Sequence, residues 1–438
     1  MPIGIHRFSY SKLYVVAVFF GIVRATLLFY NNPNLVMNFD EESNFRVAMS
    51  NHIGKGYTYN NYPSKVRKKT AFHSSFPIFT YEFLIKQKIK KKQWVAFCNL
   101  ASSILLSISI VVFFKLCKYI FIPQIAFYTT LLYCIFPSIL YYIGTLFWYE
   151  QIFLSVLVFI VYYLFKLIAV GKLNPLNWLI LSISAVVSSL FRLHTLPIIL
   201  LLFFCTAMML ALKHQIKNTL ILILLSVIVL LSHVPSLQKN HALFGSYIIS
   251  TQFGYEVLQG HNPHARGSWM GDFLKPDNIL YKYAHENINS LDSLNEYDEG
   301  KARLKLSISW MSQNPLHDLR LEMRKLVLFF APFNFEFLPF HHFFNPINLI
   351  VYVGFWIFIL LLVSKKIKTE SWQTLILLIP IFCSIVLTLL FFMGARWRYY
   401  AEPFMIIFAV LSFQHFYFLY RNKTNRCTQP MTHLQRHQ

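Results

Sequence analysis

Along this chain apolar residues come in runs of about 17 to 25, each closed by a short basic or polar interruption, and a helical run of that length covers roughly 30 Å of hydrocarbon. Ten runs stand out: about Leu13–Tyr30, Trp94–Phe114, Tyr119–Ile143, Phe147–Val170, Leu176–Phe191, Leu196–Leu212, Leu220–Pro235, Asn345–Val363, Trp372–Met393 and Tyr400–Tyr420. A turn signal, Gly171-Lys172-Leu173-Asn174-Pro175, separates the fourth from the fifth. Two long polar stretches break the rhythm, 31–93 and 236–344. The pattern predicts an all-α polytopic membrane protein with about ten transmembrane helices, a single domain over 1–438 carrying two external segments. The first run lacks a small-residue cleavage site, so it is expected to stay as a span.

Composition agrees. Of 438 residues 56% are hydrophobic and only 13% charged, against roughly a quarter charged in a soluble domain. The net charge of +22 comes from Lys and Arg at the ends of apolar runs, which fits orientation signals and lipid phosphates and argues against a nucleic-acid partner. The six cysteines form no CxxC pair or disulfide framework. Lys115 and Lys118, Lys166 and Lys172, Lys213 and Lys217, and Lys365 to Lys368 place the short loops and both termini in the cytoplasm, with both long segments outside. The first long segment dissents, with Arg67, Lys68 and Lys69 and the run from Lys86 to Lys92.

Chemistry is concentrated at a few places. Directly after the first run stands Asn38-Phe39-Asp40-Glu41-Glu42, either a solvated acidic patch or, with burial and neighbouring charge, a general base. Arg24, Glu150, Arg192, His194, His233, Arg396, Arg398 and Glu402 fall inside or at the rims of spans, where a charge needs a partner or a water-filled cavity. Arg396 and Arg398 flank Trp397 and offer two planar forks to an anionic headgroup, although Arg and aromatics at that depth also serve as plain interfacial anchors. Gly260-His261-Asn262-Pro263 combines turn formers with an amide, and His73 precedes Pro77 in the first segment. Lys325 to Pro332 reads as an interfacial or re-entrant stretch after a helical pattern from Tyr297 to Arg324. There is no GxxxxGK[ST], no strand-bounded GxGxxG, no HExxH and no nucleophile elbow, which disfavours ATP-driven transport.

Taken in order, several short motifs resemble the C-type (GT-C) superfamily of integral-membrane glycosyltransferases, in particular the group of protein O-mannosyltransferases and lipid A aminoarabinose transferases. They are Asp40-Glu41 after the first span, then Arg46-Val47-Ala48 and Gly54-Lys55-Gly56-Tyr57; Thr145-Leu146-Phe147-Trp148-Tyr149-Glu150; Leu190-Phe191-Arg192; Gly245 through Asn262; and Arg396-Trp397-Arg398-Tyr399-Tyr400-Ala401-Glu402-Pro403. His73-Ser74-Ser75-Phe76-Pro77 is looser than the family's His-Pro-Pro element.

The resemblance implies inverting transfer of a sugar from a polyprenyl-phosphate donor to a glycan, lipid or protein acceptor, at the outer face of a membrane such as the bacterial plasma membrane. It makes Asp40 the general base with Glu41 tuning it, and puts Arg396, Arg398 and Arg192 at the donor phosphate. Glu150, His73 and Asn262 become substrate contacts. No cofactor is expected. Some members of the superfamily use a divalent ion, but no metal ligand set is visible here. Two rival readings use the same residues: a flippase or transporter for a lipid-linked saccharide, which inverted repeats would betray, and an oligosaccharide polymerase or ligase using a diphosphate-linked donor.

Overall fold

The apolar runs fold as helices whose ends are set by the residues that bound them. The computed structural model describes residues 10–37, 39–60, 67–72, 75–136, 148–271, 277–331, 346–366 and 371–427. From the amino end, α1 (Tyr10–Asn31) leads into the first long segment. That segment holds α2 (Phe39–His52), an antiparallel pair of β1 (Thr58–Asn60) and β2 (Arg67–Lys69), and α3 (Ser75–Lys86). The apolar helices α4 (Lys91–Cys117), α5 (Pro123–Ile135), α6 (Trp148–Val170), α7 (Pro175–Phe191), α8 (Thr195–Leu212) and α9 (Ile216–Leu231) follow. The second long segment carries α10 (Val234–Phe244), α11 (Phe253–Gly260), α12 (Ile279–Asn287), α13 (Glu296–Gln313) and α14 (Pro315–Phe329). The chain closes with α15 (Pro346–Val363), α16 (Ser371–Leu390), the short α17 (Ala395–Tyr399) and α18 (Glu402–Cys427).

Among the described residues, eight stretches are long and apolar enough to cross a membrane: α1, α4, α6, α8, α9 continued by α10, α15, α16 and α18. The shorter apolar helix α7 and the 13-residue α5 answer to the other two expected runs. The fold is therefore all-α and polytopic, and among the described residues only the β1–β2 pair forms strands.

Local chemistry explains the boundaries. The Asn174 side chain accepts from the Asn177 N–H at 2.8 Å and Pro175 takes the first helical position, so α7 starts sharply after the Gly171 turn. Asn295 caps α13 in the same way at 2.9 Å, with Glu296, Asp298 and Glu299 placed against the positive end of the helix dipole. The helical pattern read from Tyr297 to Arg324 is two helices, divided at Asn314-Pro315, because proline offers no N–H and its ring clashes with the preceding turn.

Packing in the bundle uses small residues and buried polar pairs. A Cβ on Gly354 of α15 would lie 2.8 Å from the Ala409 Cβ of α18, and the Ser412 hydroxyl donates to the Gly354 carbonyl at 2.9 Å. Such close approach is how helices associate where no water supplies a hydrophobic drive. Arg24 is fully buried in α1 and donates to Ser102 Oγ of α4 at 3.3 and 3.4 Å, so its charge turns into the bundle and does not snorkel.

The two long segments lie at the same end of the bundle and bind each other. The Ala71 N–H donates to Glu296 Oε1 at 2.8 Å, the Thr251 hydroxyl donates to the same oxygen, and the Thr251 N–H donates to the Ala71 carbonyl at 3.1 Å. Lys68 pairs with Glu299 at 3.3 Å, and Glu299 also holds Arg303 at 2.8 Å. Lys91 pairs with Glu42 at 3.0 Å. Two cations of the dissenting first segment are thus spent on acids at that same end, which removes much of their weight as orientation signals.

Burial pushes the Glu296 carboxyl above the usual range, against the hydrogen bonds from Thr251, Ala71 and Thr70 that pull it down. A raised folded-state value means that its contribution to stability is present at low pH and declines as pH rises through that value. Glu296→Gln keeps an acceptor oxygen for the Ala71 N–H and the Thr251 hydroxyl and should preserve the joint while flattening this pH dependence. Glu296→Leu leaves the buried Ala71 N–H unpaired and should cost about 1–3 kcal/mol. Thermal unfolding in detergent across pH compares the two.

Candidate functional site

Where the long segments meet the helix ends, a cavity of about 560 Å³ opens, within the range of small-molecule sites. Its polar wall comes from three places: Asn44 of α2, Arg192 and His194 of the α7–α8 turn, and Gln252, Glu256 and Gln259 on or beside α11. Its apolar wall is largely aromatic, with Phe253, Trp269, Phe391 and Trp397.

Each wall is held by contacts that the backbone dictates. The Thr195 N–H and hydroxyl both donate to the Arg192 carbonyl, at 3.0 and 2.8 Å, which fixes the turn. His194 Nε2 lies 3.3 Å from the Tyr400 hydroxyl and its ring meets Trp397 edge-on at 4.6 Å, so two motifs 206 residues apart form one surface. The helix α11 is pressed between α13 and the end of α16: a Cβ on Gly254 would collide with the Gly300 carbonyl and one on Gly260 with the Phe391 carbonyl, which leaves only glycine at both positions. Gln252, Glu256 and Gln259 recur at helical spacing and so share the face turned to the cavity. Gln252 donates to Glu256 at 2.5 Å. Gln259 donates to the Gly271 carbonyl at 3.3 Å, while its buried Oε1 has no hydrogen-bond partner among the described residues.

Of the residues expected from sequence, Arg192 lines the cavity. Asp40 lies in α2, four residues before Asn44; for Asp40, Glu150 and Arg396 the described structure is that of the backbone, and His73 lies outside the described residues. Glu41 is buried, close enough to Cys98 of α4 for charge interaction. Burial raises the Glu42 carboxyl, and hydrogen bonds and charge from Lys91 and Arg46 outweigh it, holding the group below the usual range.

Arg398 is fully buried. It donates to Glu402 at 3.0 Å and to the carbonyls of Ala331 and Phe329 at 2.9 and 3.3 Å, and lies over the Tyr352 ring, whose hydroxyl donates to the same Glu402 oxygen. Asn262 is also fully buried; it donates to the Leu258 and Gln259 carbonyls and accepts from the His264 N–H, and so closes the end of α11. Sequence reasoning took in this stretch only through the Gly245 to Asn262 motif and did not single out Gln252, Glu256 and Gln259, although their helical spacing was there to be read.

Behind the α11 wall is an ionic cluster in which His261 and Lys325 are buried and Asp318 and Glu322 half-buried. His261 Nδ1 lies 2.8 Å from Asp318, and His261, Asp318 and Glu322 bring ligand atoms within 4.8 Å of one another, close enough to hold a metal ion. An ammonium already occupies that position: Lys325 Nζ lies 2.7 Å from Glu322, 3.1 Å from His261 Nε2 and 2.7 Å from the Leu389 carbonyl. Burial lowers the Lys325 amine and raises the Glu322 carboxyl, and the attraction between them opposes both shifts. The cluster ties α14 to the end of α16 beside Leu390, which lines the cavity.

No protein-family model matches the chain, and no curated protein does. Among solved structures, the apo oligosaccharyltransferase of Archaeoglobus fulgidus aligns over 97% of this chain and 52% of its own, with a TM-score of 0.50 at 14% identity. The chain is similar in fold to this oligosaccharyltransferase, in keeping with the C-type fold to which the ordered motifs point. A second structure, the archaeal oligosaccharyltransferase AglB from Archaeoglobus fulgidus with an inhibitory peptide and a dolichol-phosphate, covers 96% of this chain and 52% of its own, with a TM-score of 0.47 at 14% identity. The chain spans about half the length of both structures. The fold is an integral-membrane bundle with its long segments gathered at one end.

Proposed function

We propose that this protein is an inverting glycosyltransferase that moves a sugar from a polyprenyl-phosphate carrier to a glycan, lipid or protein acceptor, at the outer face of a bacterial plasma membrane. The observation that carries this reading is the cavity, on which Asn44 of α2, Arg192 and a polar stripe set among aromatic residues converge. The C-type fold supports the same reaction class.

In this reading the Asp40 carboxylate takes the proton of an acceptor hydroxyl as its oxygen bonds to the anomeric carbon. The bond from that carbon to the phosphate oxygen breaks on the opposite face, and its electron pair leaves with the polyprenyl phosphate. Arg192, joined by Arg396, neutralises the charge growing on that phosphate where water is scarce. Glu41 positions its neighbour. Gln252, Glu256 and the unpartnered oxygen of Gln259 meet sugar hydroxyls, and Trp269 and Trp397 cover its apolar face. Glu150 and His73 are proposed acceptor contacts. Arg398 and Asn262 serve as positioning residues that hold α17 and the end of α11. A donor that brings its own phosphate leaving group needs neither nucleotide pocket nor cofactor.

The test is a reconstitution in liposomes with a labelled polyprenyl-phosphate sugar and a glycan or lipid acceptor. The expected result is acceptor-dependent release of polyprenyl phosphate. Movement of intact donor across the bilayer without cleavage would replace the transferase by a transporter.

A further inference from the structure

The helix α14 turns charge inward beside the buried Leu321 and Phe329, and a stripe of large apolar residues outward. Its charged residues Asp318, Glu322 and Lys325 face the protein, in the cluster with His261, whereas Leu316, Leu319, Met323 and Val327 are 73, 58, 56 and 67% exposed. At 100° per residue these four share one narrow stripe, and Arg320 and Arg324, both exposed, run along one flank of it. A helix bathed in water places its side chains the other way round. With five charged residues in 15, α14 is also no candidate to cross a bilayer.

Two observations set its depth. The inner face touches the ends of spans at the side where the long segments gather: Lys325 and His261 meet the carbonyls of Leu389 and Leu390 at the end of α16, and Arg398 beside the start of α18 takes the carbonyls of Phe329 and Ala331. The far end of the helix runs into the lipid-facing surface. Phe330 stacks on Phe355 and lies 4.9 Å from Trp356, a residue of α15 that is itself 46% exposed. The exposed stripe is therefore continuous with the apolar surface of a membrane span, and Val327 stands less than one turn from the junction.

We infer that α14 lies in the interface of the bilayer, with Leu316, Leu319, Met323 and Val327 in the upper acyl region and Arg320 and Arg324 at the level of the phosphates of anionic phospholipids. A second copy of the chain or a soluble partner would cover the stripe equally well in area, but neither accounts for a row of guanidiniums along its edge or for its continuity with α15. The inference does not depend on the reaction the protein catalyses.

A nitroxide placed in turn at residues 317, 319, 323 and 327, in protein with Cys427→Ser and Cys205→Ala and reconstituted in phosphatidylcholine–phosphatidylglycerol nanodiscs, tests it. The other described thiols are buried. Positions 319, 323 and 327 should collide preferentially with oxygen, which concentrates in acyl chains, and position 317 with a water-soluble nickel chelate. Preference for the chelate at 323 and 327 would overturn the inference, as would protection from both reagents, the mark of a protein-covered face. In discs of phosphatidylcholine alone, the oxygen preference at 319 should fall by about 2-fold or more, and Arg320→Gln with Arg324→Gln should abolish this lipid dependence. A wild-type profile independent of lipid charge would overturn the phosphate contact.

Discussion

Asp40→Asn is expected to lower sugar transfer by about 10²- to 10⁴-fold, the range a positioned general base contributes, and to leave membrane insertion and donor binding intact. The amide keeps the shape of the carboxylate but cannot take the proton of the acceptor. Asp40 stands in the same helix as Asn44, which lines the cavity, and the carboxylates that follow it are engaged elsewhere: Glu41 is buried against α4, and Glu42 holds Arg46 and Lys91. Glu41→Gln is accordingly expected to be milder than Asp40→Asn. Release of polyprenyl phosphate by purified variants measures both. Should the doubly substituted protein, Asp40→Asn with Glu41→Gln, still transfer at the wild-type rate, α2 supplies no base and the catalytic reading falls.

Arg192→Ala should reduce turnover by about 10²- to 10³-fold with little change in thermal stability, because in the proposed reaction it removes a charge-assisted donor from the leaving phosphate. Arg192→Lys should recover part of the loss, since a point charge replaces a planar fork. Arg398→Ala is expected to behave in the opposite way. Its guanidinium pairs with Glu402 and two backbone carbonyls in the fully buried interior, and removing it strands the Glu402 carboxylate, at a cost of about 3–5 kcal/mol. Melting temperature and single-turnover rate, measured on the same preparations, separate the two arginines. Loss of stability in Arg192→Ala, or wild-type stability in Arg398→Ala, would reverse their roles.

The sequence by itself determined the solvent, the number of apolar elements and many of their ends. Lipid as solvent follows from apolar runs of spanning length, and the helix starts at Pro123, Asn174-Pro175 and Asn295 follow from cap and proline chemistry that acts within a few residues. Short ordered motifs were enough to point to the C-type fold. The acidic helix after the first span and Arg192 at the cavity were legible for the same reason: a charge at the membrane edge is costly unless something uses it.

Only the tertiary structure decided which charge does what. Arg396, Trp397 and Arg398 are neighbours in sequence, yet Trp397 lines the cavity while Arg398 points into the protein, an outcome set by Glu402 one turn further on and by carbonyls 67 and 69 residues away. The basic first segment read as an argument about orientation until Lys68 met Glu299, a partner 231 residues distant. His261 and Lys325 stand 64 residues apart in the chain, and the folding of α14 over the end of α16 brings them together with Asp318 and Glu322 in one cluster. In each case the deciding term is the Coulomb and hydrogen-bond energy of a pair distant in sequence and close in space. Local pattern carries no record of such a pair, because hydrophobic periodicity reports which face of a helix is buried and not which charge waits on the other side.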